Sequence, residues 1–451
     1  MSSWLETMRR RRLAALGTGV GLLLGMLVLR GLLAPDRDPF IDAIRRRGYP
    51  ATLAELDAWY PYVPPAENAA LVYTNAFGLL TNSTGPITNL TSGTWLPPIG
   101  QGLSPQERSE LKAVLAQNQA ALHLLHSAPA SGRSRYPIHL QDGPETLLPH
   151  LGTLKRAVSL VAAEAFLHAT DGDAEKSTQA FLVAGQVAES VSEEPIIISQ
   201  LVRYASWNIL LTRLERALSV APFTDTHLAS LEEIVETAER PRAMARAAAG
   251  GQATHLSLYT DRKIMKRAFK DTLGFTGHAG PFLATAFVSL LRVTGLLAKD
   301  RAFYCETMGK DIAALELPYP ARLAAVQQMA AITNTPSRFY FSRMLLPALD
   351  KANNRDASHV ALVRVAAAAL AVERFRLAHG KALPESLEQL VPAYCQAVPT
   401  DPFDGKPLRY KTRGGSYAVY SIGNDGQDNG GVVWDSNYLK VPQDVGFVVK
   451  H

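Results

Sequence analysis

The sequence predicts a mainly α-helical protein with an N-terminal membrane helix, an irregular multi-helix domain and a small α+β domain at the C-terminus. Three observations support this fold class. Residues 13–34 form a long apolar run, helical periodicity dominates from 104 to 353, and short strand patterns separated by glycine turns follow near the C-terminus. The 451 residues are 47% hydrophobic and 19% charged, so the chain can bury a large core.

The apolar run at 13–34 reads LAALGTGVGLLLGMLVLRGLLA and carries one charge, Arg30, near its far end. At ~1.5 Å per helical residue, the run can cross a hydrocarbon core of roughly 30 Å. Arg9–Arg12 flank it on the N-terminal side, which favours a cytoplasmic location for residues 1–12 and the opposite side for the bulk of the chain. We therefore expect a single-pass membrane protein.

A cleaved signal peptide is a less suitable interpretation of this run. A cut after Ala34 would leave Pro35 at the new N-terminus, which fits a small-residue cleavage site poorly. No lipobox cysteine follows the run. The sequence therefore favours an uncleaved anchor.

A second apolar run, 281–298, has Arg292 in its middle. A charge at that position is costly in lipid. We therefore expect a buried or amphipathic core helix at 281–298, with a second membrane span as the alternative.

Charge and cysteine content exclude several classes of function. The net charge of +5 is mild, and much of the excess lies in Arg9–Arg12 and Arg45–Arg47, with no basic stripe interleaved with aromatic residues. We expect no nucleic-acid partner. Cys305 and Cys395 fit no zinc spacing and no CxxC motif, so a single disulfide and two unpaired thiols both remain open.

The middle of the chain is dominated by helical patterns. We expect a helix to begin after the N-cap residue Ser104, which is followed by proline and by Glu107 in the first turn. Thr170–Asp173 predicts an αα-hairpin with a glycine stop and an aspartate cap. Glu193 and Glu194, ahead of a proline, indicate a solvated helix end. Further helices are expected near 146–170, 173–192, 196–219, 224–248 and 301–315.

These patterns divide the chain into five segments, with boundaries where the composition changes. The segments are a cytoplasmic tail (1–12), a transmembrane anchor (13–34), a mixed linker with short helices (35–103), a helical domain (104–353) and a small α+β domain (354–451).

Candidate catalytic residues are few. His123 and His126 are three residues apart on a predicted helix and could share a metal, but no third ligand follows at a usual spacing. The more ordinary interpretation is one partly buried and one exposed histidine. No G-x-S-x-G, H-E-x-x-H or P-loop motif is present. The sequence predicts no catalytic residue, and the alternative is an enzyme whose site is assembled in the helical domain around His123, His126 or His278.

The C-terminal region has a sharper pattern. Ala357–His379 is a strong helical segment that Gly380 ends. Leu408–Lys411 and Ser416–Ser421 are expected to be strands joined by a glycine turn, and Phe447–Val449 is expected to add a third strand.

This region resembles the globular domain of the major pseudopilins of bacterial type II secretion systems. The resemblance covers roughly 356–451, about a fifth of the chain, and rests on two spaced motifs after the helix. The first is D-P-[WF]-G-x-P-[YF]-x-Y, here with Asp404 as one extra residue, and the second is S-x-G-x-D-G. The matching residues are Asp401, Pro402, Phe403, Gly405, Pro407 and Tyr410, and then Ser421, Gly423, Asp425 and Gly426.

The resemblance implies a structural calcium site in the loop that begins with YSIGNDGQDNGG. Asp425 carries over as a ligand, and Asp428 and Asp444 are counterparts of the family's later acidic pair. Asn424 adds an amide oxygen of the kind that calcium accepts. The residues alone leave a second interpretation open, a hairpin turn at Asn429-Gly430 with solvated acids.

The chain departs from the family in two respects: over three hundred residues separate the anchor from the pilin-like domain, and no glycine is followed by an F-T-L-x-E stretch. The usual assembly by packing of membrane helices is therefore not expected. The resulting expectation is a membrane-anchored protein of the bacterial inner membrane, largely periplasmic and non-catalytic. It would contact other envelope proteins, and is linked by the resemblance to a type II secretion-like system.

Overall fold

The computed structural model describes residues 39–81, 96–129, 132–261, 263–265, 267, 280–332, 335–431 and 444–451. The predicted tail and anchor at 1–34, and the candidate His278, lie outside these residues. Within them, the prediction of a mainly helical chain with a small sheet is confirmed. None of the helices in this part of the chain is long and apolar enough to cross a membrane.

Helices make up most of the described residues. Their bounds are α1 Pro39–Arg46, α2 Leu53–Trp59, α3 Ala69–Leu79, α4 Pro105–Gln117, α5 Gln119–His126, α6 His150–Thr170, α7 Ala174–Glu189, α8 Ile197–Leu218, α9 Asp225–Glu236, α10 Ala243–Thr260, α11 Gly280–Val293, α12 Leu296–Leu315, α13 Ala321–Ile332, α14 Tyr340–Leu345 and α15 Pro347–Ala378. Short 3-10 turns lie at Pro65–Glu67, Leu140–Glu145 and Leu387–Leu390.

Local capping chemistry places several helix ends where the sequence predicts them. The Ser104 hydroxyl accepts the Glu107 backbone N–H, and the Glu107 carboxylate accepts the Ser104 N–H in return, so α4 begins with a capping box. In the α6–α7 hairpin, Gly172 has a φ of +79°, and Asp173 caps α7 by accepting the backbone N–H of Lys176 at 3.1 Å. The predicted αα-hairpin is confirmed.

Three predicted helix bounds are wrong. The single helix expected over 224–248 is two helices, α9 and α10, because Pro241 lacks an N–H and disfavours helical geometry at the residue before it. The helix expected at 301–315 begins earlier, at Leu296. The helix expected from Ala357 begins at Pro347, so α15 runs through the predicted domain boundary at 353/354.

The apolar run at 281–298 is not one continuous helix. Gly295 adopts a φ of +69° and ends α11, and α12 begins at the next residue. Val288 is buried, whereas Leu290 is 57% exposed and Val293 is 52% exposed. At its described positions the run is therefore partly buried, with two apolar side chains exposed, and the single core helix expected over 281–298 is not formed.

Three antiparallel strands form the sheet in the order β1 (Arg409–Arg413), β2 (Ser416–Ser421) and β3 (Val445–Val449). The registers place Val419 opposite Tyr410 on one side and opposite Phe447 on the other. The predicted strands and glycine turn are confirmed, with shifts of one or two residues at their ends. Because β2 is central, its side chains are buried on both faces of the sheet.

The core joins the sheet to the helices. One face of the sheet, with Tyr417, Val419 and Phe447, packs in the same hydrophobic cluster as α15 and helices α6–α9. The Tyr417 hydroxyl donates to the backbone carbonyl of Ala369 at 3.0 Å. The other face packs against Ile99. A second cluster collects residues of α1, α10, α12 and α14.

Candidate functional site

Asp401 is the polar centre of the two motifs in the C-terminal module. Its carboxylate is fully buried. Oδ1 accepts the Ser421 hydroxyl at 2.8 Å and the backbone N–H of Phe403 at 3.0 Å. Oδ2 accepts the Arg409 guanidinium at 2.6 Å and the backbone N–H of Ile422 at 2.9 Å. One side chain therefore ties the D-P-F segment to the S-I-G segment.

Asp404, the extra residue of the first motif, shares the same arginine. The Arg409 guanidinium donates to Asp404 Oδ2 at 2.5 Å, and the backbone N–H of Lys406 donates to Oδ1 at 3.0 Å. Partial burial opposes ionisation of this carboxyl, but the hydrogen bonds from Arg409 and Lys406 outweigh it and hold the pKa of Asp404 below its usual value. The insertion thus adds a second acceptor for Arg409.

Gly405 lets this turn approach the helical domain. It has a φ of +73°, and a Cβ at this position would lie 2.9 Å from Cγ of Pro320, at the start of α13. Beside this contact is a groove of about 370 Å³ between α13 and the two motif loops. Its polar wall contains Asp404, Asn424 and Asp425, and its apolar wall contains Leu323.

The loop that follows the second motif closes on Asp444. This carboxylate is buried, and it accepts the backbone N–H of Gly431 at 2.8 Å and that of Asn429 at 3.3 Å. The Asn429 side-chain amide donates to Asp425 Oδ2 at 3.1 Å. Two of the predicted calcium ligands, Asp425 and Asp444, are therefore joined through one asparagine.

Asn424, Asp425 and Asp428 belong to the outer part of the same loop. Asp425 accepts the backbone N–H of Gln427 at 3.1 Å, and Asp428 accepts that of Gly430 at 2.9 Å. Both are local turns of the kind that aspartate side chains form with the backbone two residues ahead. Asn424 and Asp428 are exposed.

A lysine of β1 places a positive charge beside these acids. Lys411 Nζ donates to the carbonyl of Gly430 at 3.2 Å and lies 5.2 Å from the ring centroid of Tyr420. The hydrogen bond with Tyr420, and then the nearby carboxylates of Asp428 and Asp444, raise the pKa of Lys411. The chain itself thus supplies one cation to the acidic loop.

This arrangement fits a calcium ion only in part. Hard oxygens are present on one loop, but the contacts above use them to accept N–H groups, whereas calcium needs six to eight oxygens around one point. Among the described residues, no three histidine, cysteine, aspartate or glutamate side chains come together in an arrangement that could hold a metal. Calcium binding by Asn424, Asp425, Asp428 and Asp444 stays a prediction.

The sheet is also fastened to the helical domain by polar contacts. The buried carboxylate of Glu215, on α8, accepts the backbone N–H of Val448 at 2.8 Å. His451 Nε2 lies 2.9 Å from the carboxylate of Glu373, which is on α15. Burial opposes ionisation of Glu373, but His451 and Arg376 outweigh it and lower its pKa. The last strand therefore contacts α8, and the last residue contacts α15.

The histidines of α5 line an open groove of about 610 Å³ between α5 and helices α6 and α7. His123 is exposed. His126 Nε2 lies 2.8 Å from the carboxylate of Glu164, and this hydrogen bond raises the pKa of His126. His168 lies one turn beyond Glu164 in the same groove. The structure thus brings His126 to a carboxylate that its sequence spacing does not indicate.

The prediction of a solvated helix end at Glu193 and Glu194 is wrong for Glu194, which is 0% exposed. Its Oε2 accepts the Ser199 hydroxyl at 2.6 Å, and its Oε1 lies 2.8 Å from Nε2 of the buried His150. The chain turns inward here because it passes against α10. A Cβ on Gly250 would lie 2.0 Å from the carbonyl oxygen of Pro195. The paired glycines of α10 are the sequence signal for this approach.

A second buried network lies nearby and was also absent from the sequence predictions. Glu189 Oε1 accepts the Arg203 guanidinium at 2.7 Å and the indole N–H of Trp207 at 2.7 Å, while Oε2 accepts Arg240 at 2.8 Å. Burial opposes ionisation of Glu189, but the two arginines outweigh it and lower its pKa. Helical periodicity does not identify such residues, because long charged side chains are usually solvated.

The two cysteines form no disulfide with each other. Cys305 is buried in α12, and Cys395 is half-buried, where burial raises the pKa of its thiol. Neither belongs to the motif loops or to the histidine groove.

We compared the chain with known protein families, curated proteins and solved structures. No family model, curated protein or solved structure matches the chain.

Proposed function

We propose that this chain is a membrane-anchored protein of the bacterial inner membrane, with a non-catalytic interaction role in the periplasm. Its C-terminal module is pseudopilin-like, and its partners are envelope proteins of a type II secretion-like system. The observation that carries the proposal is the buried carboxylate of Asp401. It joins the two motif segments on which the resemblance rests. The apolar run at 13–34 supplies the anchor.

The packing of α15 supports an interaction surface on the loops. Apolar residues of this helix, among them Val363, Leu370 and Val372, are buried in the main core, where α15 packs against α8, α9 and the sheet. A helix with this face occupied cannot offer it to a neighbouring subunit. We infer that partners contact the motif loops and the groove beside Asp404 and Asp425.

The anchor and its orientation are tested by expressing the full chain in a bacterium. The expected result is that the protein stays with the membrane after alkaline extraction and that added protease digests it in spheroplasts, where the periplasmic side is accessible. A reporter active in the periplasm, fused after His451, should be active. Release by alkali, or protection from protease in intact spheroplasts, would overturn the proposal.

The link to secretion proteins is tested by crosslinking at the motif loops. In a host with a type II secretion system, a photoreactive residue at Asn424 should give a discrete adduct with an envelope component, whereas one at Asn208, on the surface of α8, should not. Equal crosslinking from both positions, or none from either, counts against an interaction surface at the loops.

The proposal includes calcium as a structural ligand of the C-terminal loop. It is supported by the gathering of Asn424, Asp425, Asp428 and Asp444 on one hydrogen-bonded loop. Bound calcium would stabilise the folded chain by a free energy that rises with the logarithm of its concentration above the dissociation constant. The full chain in detergent should therefore melt at a higher temperature in millimolar calcium than in chelator.

The matched variants are Asp425→Asn, which removes a predicted ligand, and Asp171→Asn, which removes an acid of the α6–α7 hairpin. The calcium-dependent rise in melting temperature should shrink in the first and persist in the second. Identical melting temperatures of the unaltered protein with and without calcium would remove calcium from the proposal. The anchoring and crosslinking results would stand independently.

An enzyme with a site in the helical domain is a second candidate, favoured by the groove that His126, Glu164 and His168 line. A histidine held by a carboxylate can transfer protons to and from a bound molecule. If this candidate is correct, small molecules from a metabolite set should protect the groove histidines from diethyl pyrocarbonate. Modification rates that no compound changes would leave the interaction role as the better account.

A further inference from the structure

A pocket lies between α1 and α12 and reaches α10. Its volume is about 260 Å³, and Ala43 of α1 is one of its lining residues. Ile44, Cys305 and Ile312 also line it, and all three are buried members of the second core cluster. Gln252 is the contribution of α10 to the same wall. The pocket therefore extends from the surface into the core of this part of the chain.

Gln252 is the polar residue of this inner wall. It is 1% exposed, and its neighbours one turn away on α10, Ala248, Ala249 and Leu256, are buried members of the second core cluster. Its side-chain nitrogen Nε2 is buried and has no hydrogen-bond partner among the described residues. Buried polar groups are nearly always hydrogen-bonded, because desolvation without a partner costs free energy. A molecule in the pocket can supply the acceptor that Gln252 lacks.

The charged residues of the lining lie at the mouth of the pocket. They are Arg47, Glu306 and Lys310, and all three are exposed. The Arg47 guanidinium donates to the carbonyl of Gly309 at 2.6 Å, and Lys310 donates to the Glu306 carboxylate at 2.7 Å. A charged group on the inner wall would lose its hydration without gaining a counter-ion. We therefore expect the pocket to accept an uncharged molecule.

The volume limits the size of that molecule. An apolar protein cavity of about 150 Å³ can hold benzene, so a pocket of about 260 Å³ corresponds, by the same ratio, to about ten non-hydrogen atoms. One ring with a short side chain has this size. Sites for small molecules are mostly apolar and have a few polar groups that fix the orientation of the ligand. The lining of this pocket has that composition.

We propose that the pocket between α1, α10 and α12 binds a compact, uncharged, mainly apolar molecule whose carbonyl oxygen accepts a hydrogen bond from Gln252 Nε2. The bound molecule would contact all three helices that form the wall. The site shares no residue with the groove beside the motif loops or with the histidine groove. The inference therefore does not depend on the proposed role in secretion.

The test uses the full chain in lipid nanodiscs and two probes of the same shape, acetophenone and α-methylstyrene. The second probe has a methylene group where the first has its carbonyl oxygen, so it cannot accept the hydrogen bond. Equilibrium dialysis fixes the free concentration of each probe, and nanodiscs without protein measure the amount that the lipid takes up. The difference between the two samples is the amount that the protein binds.

The role of Gln252 is tested with Gln252→Leu, which removes the donor and keeps a side chain of similar size. The preference for acetophenone over α-methylstyrene, expressed as the ratio of their dissociation constants, should fall about tenfold, the change expected for one hydrogen bond. Comparing this ratio between the two proteins cancels the different hydration of the two probes. The same ratio in both proteins would overturn the assignment of Gln252.

The location of the site is tested with Ala43→Phe, which should fill the pocket and abolish binding of both probes. The matched control is Ala313→Phe, at an exposed position of α12, which should leave binding unchanged. A second readout uses the unaltered protein. Bound acetophenone should slow alkylation of Cys305 several-fold and leave alkylation of Cys395 unchanged, as measured by mass spectrometry of the two cysteine peptides, because only Cys305 lines the pocket.

Two results would overturn the site itself. If the protein adds no uptake to that of the empty nanodiscs, up to the solubility of acetophenone, the pocket does not bind this class of molecule. Binding that persists in Ala43→Phe, or equal slowing of alkylation at Cys305 and Cys395, would place the bound molecule elsewhere on the chain.

Discussion

The central helical region and the C-terminal module both bury carboxylates, but they neutralise them differently. Glu189, between helices, accepts hydrogen bonds from three side chains, two of them arginines. Asp444 accepts from two backbone amides of a loop, and Asp401 accepts from two backbone amides as well as from two side chains. Helical amides are already bonded to helical carbonyls, whereas loop amides are available to an acid.

This difference predicts different costs of disruption. Removing one partner of a buried ion pair leaves an uncompensated charge. Removing one acceptor from a loop leaves several donors, some of which reach water after a small movement. We therefore expect the central networks to be the more sensitive of the two regions.

The largest effect is expected for Arg203→Leu, which leaves Glu189 buried with Arg240 as its remaining charged partner. The loss in free energy of unfolding should be about 3–5 kcal/mol, measured by urea denaturation. The control Arg45→Leu breaks a solvent-exposed pair with Glu55 and should lower the free energy of unfolding far less than Arg203→Leu does. A double variant, Glu189→Leu with Arg203→Leu, should lose less than the sum of the single losses. Similar losses for Arg203→Leu and Arg45→Leu would contradict this comparison.

The second-largest effect concerns the close contact between Gly250 of α10 and Pro195, which follows the buried Glu194. Gly250→Ala would place a methyl group against the carbonyl of Pro195 and should destabilise the chain by ~3 kcal/mol. Gly251→Ala, at the neighbouring position of α10, meets Ile197 at an ordinary 3.8 Å and should change stability by less than about 1 kcal/mol. Thermal melting of the two variants measures the difference. If both alanines are tolerated equally, the close approach of α10 is not a constraint on this fold.

A smaller effect is expected for Asp401→Asn in the C-terminal module. The asparagine amide can accept hydrogen bonds on one oxygen only, so some of the donors Ser421, Ile422 and Arg409 lose their acceptor. The free energy of unfolding should fall by about 2–3 kcal/mol. Hydrogen exchange should show faster exchange in β2 before the helices of the central region are affected. Asp428→Asn, an exposed position, serves as the control and should leave exchange in β2 unchanged.

The smallest effect concerns the partly exposed pair of His126 and Glu164. Because the folded state raises the pKa of His126, the pair contributes its full stability below the unfolded pKa of about 6.5, and the contribution is lost as the pH rises through the folded pKa. Solvent screening limits it to less than about 1 kcal/mol. The difference in urea midpoint between the unaltered protein and Glu164→Gln should therefore be larger at pH 5.5 than at pH 9. A difference that is constant with pH would show that the pair is not charged.

Local chemistry was predictable from the sequence wherever one short segment decides the structure. The capping box at Ser104, the hairpin at Gly172 and the strand positions around Tyr417 all depend on neighbouring residues. The hydrogen bond from Ser421 to Asp401 joins the two motif segments, whereas the family resemblance that drew attention to them stays a prediction. The anchor at 13–34 and the bound calcium stay predictions.

Tertiary structure alone decided which charged residues are buried and where long elements begin. Nothing in the sequence next to Glu194 separates it from the half-exposed Glu193, because the burial of Glu194 depends on α10 passing over Pro195. The start of α15 at Pro347 and the contact of Val448 with Glu215 likewise join segments far apart in the chain. Sequence periodicity records which residues prefer a helix or a strand, whereas desolvation and ion pairing depend on what packs against them.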